Sequence, residues 1–214
     1  MTETTPNLRE LNKRRTREAI SHAATRLFIN QGFERTTIAD VAAAAGVAKM
    51  TVTNHFPRKE DLFLDLHEEI VARYARAVAE RAPGESALAA LRRTCLAEID
   101  RHDPALGFSG EAFARTITES PALTARLREL HEQSETALAA ALAEAVHAIP
   151  GDFESRVAAG LLAAVPRAVS TEVFRRTLAG EEHDTIAAAV RPSAVRAFDR
   201  LKGALGDFAV RPAS

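Results

Sequence analysis

The sequence predicts an all-α fold in which a small N-terminal three-helix unit precedes a larger helical unit. Apolar residues recur at i, i+3, i+4 and i+7 along nearly the whole chain, the period of an amphipathic helix. Alternating β-branched runs are almost absent, while alanine, the strongest helix former, is abundant. The length, 214 residues, exceeds one ordinary domain and allows a small unit plus a larger one.

The first clear helix runs through Arg17–Asn30, with Ile20, Ala23, Ala24, Leu27 and Phe28 on one face and Gly32 as its stop. Thr37 then offers an N-cap with Asp40 three residues on, and Ile38, Val41, Ala42 and Ala45 make the next stripe. Ala45-Gly46-Val47 ends that short helix. Another follows over Ala48–His55, with Val52 and Phe56 inward. After Pro57, Lys59–Ala82 reads as one long helix carrying Leu62, Phe63, Leu66, Ile70, Tyr74 and Val78, closed by Pro83-Gly84. Ser86 caps a helix to about Arg101. Asp103-Pro104, Gly107 and Gly110 break the pattern before a short helix near Glu111–Thr118. Ser120-Pro121 opens a helix to about Ile149, with Leu123, Leu127, Leu130, Leu138, Leu142 and Val146 inward. The next begins at Pro150-Gly151-Asp152 and runs to about Leu178, kinked or interrupted near Pro166. Asp184 and Pro192 delimit the last stretch, which reaches about Phe208. The expected boundary divides residues 1–58 from residues 59–214.

The chain is 46% apolar and 27% charged, the balance of a globular protein. No apolar run approaches the roughly 20 residues that span a bilayer, and the first residues lack the apolar stretch of a signal peptide. A cytoplasmic protein with no membrane partner is expected. Cys95 is the single cysteine, which excludes an internal disulfide and leaves any metal site to histidines and carboxylates. No glycine-rich phosphate loop, nucleophile elbow or zinc-protease motif occurs, and His67-Glu68-Glu69 lacks a second histidine four residues on. No catalysis, metal or cofactor is therefore expected.

Charge is unevenly placed. Residues 1–60 carry ten Lys and Arg against six acids, a net +4, and the remainder is −5. A basic head suits a polyanion. Two short helices joined by a glycine turn and packed on a preceding helix are the helix-turn-helix arrangement, whose second helix enters the major groove of DNA. Opposite Val52 and Phe56 stand Lys49, Met50, Thr53 and Asn54. Lysine suits guanine, asparagine suits adenine, threonine suits either, and apolar atoms suit the thymine methyl. Thr36 and Thr37 present hydroxyls and amides at a helix N-terminus, where an anion is favoured, and Lys59 stands ready for phosphate. His55 serves equally as a cap or core residue on this reading.

The stretch from Thr16 to Leu66 resembles the TetR family of transcriptional regulators. The likeness rests on R-x-x-I-x-x-A-A-x-x-L-F, G-F-x-x-T-T-I-x-D-V-A-x-x-A-G-V and T-V-T-N-H-F-P-R-K-E-D-L, each at the family's spacing. The resemblance implies a ligand-responsive regulator, a repressor that binds double-stranded operator DNA as a homodimer and releases it when a small molecule binds the C-terminal helices. Lys49, Thr51, Asn54, His55 and Lys59 carry over position by position as DNA contacts. Thr53 departs from the pattern, being shorter than the tyrosine that members usually carry there for a backbone phosphate.

Dimerisation is expected through an i+4 ridge, Val157, Leu161, Val165, Val169 and Val173, and a second stripe, Val195, Phe198, Leu201, Leu205 and Phe208. The resemblance pairs these helices with their copies in a four-helix bundle. The same stripes would also serve one intramolecular core. Residues 60–150 would enclose the effector, with Phe108 and Phe113 beside irregular backbone and His102, Arg115 and His131 as polar candidates. The long helix from Lys59 would transmit ligand binding to the head. A DNA-binding or architectural protein without an effector is the rival reading.

Overall fold

The computed structural model describes residues 8–212. Nine α-helices and two 3-10 turns make up its elements, with no strand among the described residues. The helices are α1 (Leu8–Gln31), α2 (Ile38–Ala45), α3 (Lys49–His55), α4 (His67–Ala79), α5 (Ala87–Asp100), α6 (Glu111–Glu119), α7 (Pro121–Ala145), α8 (Phe153–Leu178) and α9 (His183–Leu205). The 3-10 turns are Glu60–Leu62 and Pro104–Leu106.

Two compact units result. The first comprises residues 1–65 together with 115–124, and the second comprises 66–114 and 125–214. The first unit thus runs to Asp65, beyond the expected limit at Arg58. Leu62, Phe63 and Leu64 are all buried, and Phe63 meets Phe28 edge-on with ring centroids 5.7 Å apart.

That burial also corrects the long helix expected from Lys59 to Ala82. Three consecutive side chains cannot share one helix face, since each residue turns about 100°. The chain instead tightens into the Glu60–Leu62 turn and restarts as α4 at His67. Around it, Ile20, Ala24, Phe28, Phe33, Val41, Val52 and Phe56 fill the core of the first unit.

The core of the second unit gathers Leu91, Cys95 and Ile99 of α5, Leu138 and Leu142 of α7, Leu162 and Val169 of α8, and Ile186 and Phe198 of α9. Burial pushes the Cys95 thiol up to about 12, which makes it a packing residue rather than a nucleophile. Helix α8 continues unbroken through Pro166, and α9 through Pro192. An interior proline costs about 3 kcal/mol, and in α8 the buried turns on either side, Leu162, Val165 and Val169, outweigh it. The same helix is long and apolar enough to cross a membrane, with a mean hydropathy of 1.4. Its inward residues account for much of that value.

Candidate functional site

Local signals build the α2–α3 pair. Thr37 caps α2, its hydroxyl accepting from the Asp40 amide at 3.2 Å while the Asp40 carboxylate accepts from the Thr37 amide at 2.8 Å. These bonds hold the Asp40 carboxyl below its ordinary range. At the other end Gly46 adopts φ 66°, left-handed backbone that side-chained residues avoid. The Gly46 and Val47 amides return to Ala43 and Ala42. This reversal aims α3 away from α2.

On α3, Val52 is fully buried and Phe56 follows it at 1% exposure. At about 100° per residue, Met50 and Asn54 stand opposite Val52 with Thr53 at their edge, while Lys49 opens the helix about 60° from Val52. Lys49, Met50 and Asn54 are exposed, Met50 at 68%, whereas Thr51, Thr53 and His55 are half-buried. Thr53 Oγ1 donates to the Met50 carbonyl at 3.1 Å.

Arg17 of α1 sets the angle of this helix, a role the sequence reading missed although Arg17 opens the first quoted motif. Its Nη1 donates to the His55 carbonyl at 2.8 Å and its Nη2 to the Asp65 carbonyl at 3.3 Å. The guanidinium lies 4.2 Å over the Phe56 ring. The His55 pKa is lowered by burial and by the charges of Arg17 and Lys13, so its imidazole is neutral near pH 7.

Two residues expected at phosphate are engaged within the free chain. Thr36 is 1% exposed, with its hydroxyl donating to the Gly32 carbonyl at 3.0 Å. Lys59 Nζ donates to the Phe33 carbonyl at 2.6 Å and lies 4.3 Å from the centre of the Phe33 ring. Thr36 therefore ties α1 to the following turn, and Lys59 ties that turn to the chain beyond α3. Thr37 is exposed, but its hydroxyl and amide are engaged with Asp40.

The five ligand candidates do not converge. His102 and Phe108 meet with ring centroids 5.1 Å apart, joined by His183, which the sequence reading had not singled out. Phe108 is 2% exposed and packs, whereas His102 and His183 are half-buried and line a groove of about 390 Å³. Phe113 and Arg115 sit on α6, and Arg115 belongs to the first unit. His131 lines a separate cavity, with Arg73 and Tyr74 of α4 and Ser134, Pro166, Arg167 and Ser170 of α7 and α8. Periodicity could have flagged Arg73: Ile70, Arg73, Tyr74, Ala77 and Val78 follow the inward spacing of α4.

The expected dimer ridges are corrected as well. Val165, Val169 and Val173 of α8, and Phe198 and Leu205 of α9, are buried within this chain's own core. Val157 and Leu161 are 46% and 43% exposed, and Val195 and Leu201 are half-buried. An i+4 row drifts about 40° per step, so Val157 and Val173 lie about 160° apart around the helix. The outward residues of α8 include Phe153, Val157, Leu161, Ala164, Ala168 and Thr171 together with the charged Glu154, Arg156, Arg167 and Arg175, and α9 adds Ala188, Ala189 and Pro192.

Residues 20–66 match the family of bacterial regulatory proteins called tetR. Over 181 residues the chain is 33% identical to the HTH-type transcriptional regulator TcmR of Streptomyces glaucescens, covering 80% of this chain and 78% of that protein. The fold is similar to that of the SmeT–triclosan complex, with a TM-score of 0.56 at 19% identity over 93% of this chain and 96% of that one. It is also similar to NalD, the secondary repressor of the MexAB-OprM multidrug efflux pump in Pseudomonas aeruginosa, with a TM-score of 0.53 at 18% identity over 86% of this chain and 96% of that one. An alignment to TcmR over four-fifths of the chain, with a capped helix pair at the matched residues, places this protein in the TetR family of helix-turn-helix transcriptional regulators.

Proposed function

We propose that this regulator is a cytoplasmic, ligand-responsive repressor that holds operator DNA as a homodimer and releases it when a small molecule enters the second unit. The observation that carries the DNA-binding part is α3 itself: Met50 and Asn54 face away from a fully buried Val52 with Thr53 at their edge, Lys49 is exposed at the first turn, and Arg17 holds the His55 carbonyl at the far end. DNA contacts fall within residues 1–58, and effector binding and self-association within residues 59–214. Thr51 and His55 flank the reading face, and the exposed lysines and arginines of α1 supply phosphate contacts in place of Thr36 and Lys59.

Self-association uses the outward faces of α8 and α9. A groove of about 360 Å³ between these helices is floored by small side chains, among them Ala168, Ala189, Ser193 and Ala197. Small residues allow close helix approach, and two copies would set the recognition helices about 34 Å apart, one turn of DNA. An effector that prefers the releasing conformation by about 1–3 kcal/mol weakens operator binding roughly 5–150-fold.

Operator fragments selected from the source genome with purified protein test this function. Asn54→Ala should cost about 1–3 kcal/mol at the selected site and nothing on random DNA. Equal affinities of wild type and variant for both DNAs would remove the assigned reading face.

A further inference from the structure

Sulfur sits at two extremes in this chain. Cys95 is fully buried, and its thiol is pushed up to about 12, so almost no thiolate is present to meet an oxidant at neutral pH. Met50 is 68% exposed. The other methionine of the sequence, Met1, lies outside the described residues. A thioether has no proton to lose before it reacts, so exposure decides which one an oxidant reaches. The accessible sulfur among the described residues thus belongs to the second residue of α3, opposite Val52 and beside Asn54 on the face assigned to base edges.

Thr53 carries a change at that sulfur further. Its Oγ1 donates to the Met50 carbonyl at 3.1 Å and lies 3.7 Å from Met50 Sδ. A thioether sulfur is a weak acceptor, so the carbonyl keeps the hydrogen. The oxygen of a sulfoxide on the same sulfur is polar and within reach of that hydroxyl, and it would draw Met50 and Thr53 together against α3. Two side chains of the reading face would then turn from DNA to each other.

We propose that Met50 is a reversible oxidation site, and that conversion of its thioether to the sulfoxide by a peroxide releases the operator without any effector. This rests on the DNA-binding function above and adds a second means of regulating the same site. The Met50 sulfur attacks one oxygen of hydrogen peroxide: an S–O bond forms, the O–O bond breaks, and the second oxygen leaves as hydroxide. The hydroxyl proton of the transferred oxygen converts that hydroxide to water. Sulfur loses the two electrons that the peroxide gains, and no group of the protein has to move a proton. Methionine sulfoxide reductases, one for each epimer, return the thioether.

The direction of the effect follows from what DNA presents. An apolar side chain suits a thymine methyl, whereas guanine N7 and O6, adenine N7 and thymine O4 are acceptors and the phosphates are anions. A sulfoxide brings an acceptor and no donor, so acceptor meets acceptor. Random DNA is held by lysines and arginines at phosphate, and its binding should change little. Loss at the operator should be roughly 5- to 100-fold, the range of one mismatched base pair.

The test treats the full chain with hydrogen peroxide, removes the excess with catalase and locates added oxygen by peptide mass spectrometry. Wild type should gain one oxygen at Met50 and bind its selected operator fragments roughly 5- to 100-fold more weakly, with its helical circular dichroism unchanged. Methionine sulfoxide reductases A and B together should restore the affinity. Met50→Leu sets an operator affinity of its own, and peroxide should not move that value, which separates Met50 from Met1 and Cys95. Operator bound before treatment should shield Met50 from oxidation. An equal loss in Met50→Leu, or a loss that the reductases leave in place, would overturn the proposal. If untreated protein bound no DNA at low ionic strength, the function and the oxidation site would fall together. Operator binding that persists through complete oxidation of Met50 removes the oxidation site alone.

Discussion

In the first unit, two half-buried cations end on backbone carbonyls: Arg17 on His55 and Asp65, Lys59 on Phe33 and Glu34. In the second unit, Arg73 and Glu98 leave solvent as a pair, and the pair is imperfect, with the Arg73 Nε–H facing no acceptor. The first arrangement is complete in the free protein, and it presents α3 as a finished surface. The second is looser, a charge contact at 3.6 Å without a hydrogen bond. Cations tied to carbonyls in one unit and a loosely paired buried charge in the other are two ways of burying the same chemistry.

The largest expected effect breaks the imperfect pair. Arg73→Met alone leaves the Glu98 carboxyl buried without its cation and should cost about 3–5 kcal/mol in chemical denaturation. Adding Glu98→Gln removes the stranded charge and should restore much of that loss. If the single and double variants were equally unstable, the pair would be making no electrostatic contribution and the contrast between the units would fail.

Next in size comes Lys59. Its ammonium serves the Phe33 carbonyl and ring, so Lys59→Met should destabilise the first unit by about 1–3 kcal/mol. DNA affinity measured at low temperature, where the variant stays folded, should change little. A uniform loss of affinity for all DNA without any loss of stability would return Lys59 to the phosphate role that the sequence suggested.

Residue type alone suggests that role, and its partners come from the fold. Thr37, Asp40 and Gly46 act within four residues of themselves, and their cap and turn were legible from spacing alone. So was the polarity of α3, because Val52 and Phe56 fix which side faces inward. Thr36 and Lys59 are polar residues whose partners, Gly32 and Phe33, are set by how α1 enters the turn. Nothing in the type of either residue distinguishes a carbonyl of this chain from a phosphate of another. The dimer ridges failed for a geometric reason: a row spaced by four drifts around a 3.6-residue helix, and over α8 it passes from the outer face to the core. The cavity was half legible. His131 stood out as a lone imidazole, while Arg73 was hidden among apolar residues whose spacing it shares.

The smallest effect sharpens the comparison through pH. His55 in the first unit and His131 in the second both have lowered pKa values, led in each case by burial. An unfolded histidine titrates near 6.5, so as pH falls below about 6.5 the unfolded chain takes up protons that the folded chain refuses. Stability contributed by the neutral imidazoles is present above that pH and is lost on the way down to their folded values. Asp40 and Asp152, whose pKa values are also lowered, act in the opposite sense of charge and lose their contribution only below about 4. The Tm should therefore fall by a few degrees between neutral and mildly acidic pH, well before the carboxylates titrate. His55→Gln and His131→Gln should each flatten part of that slope. If the units unfold in separate calorimetric transitions, each replacement should act on one transition only, and a variant that moved both equally would show that the two units share a single cooperative core.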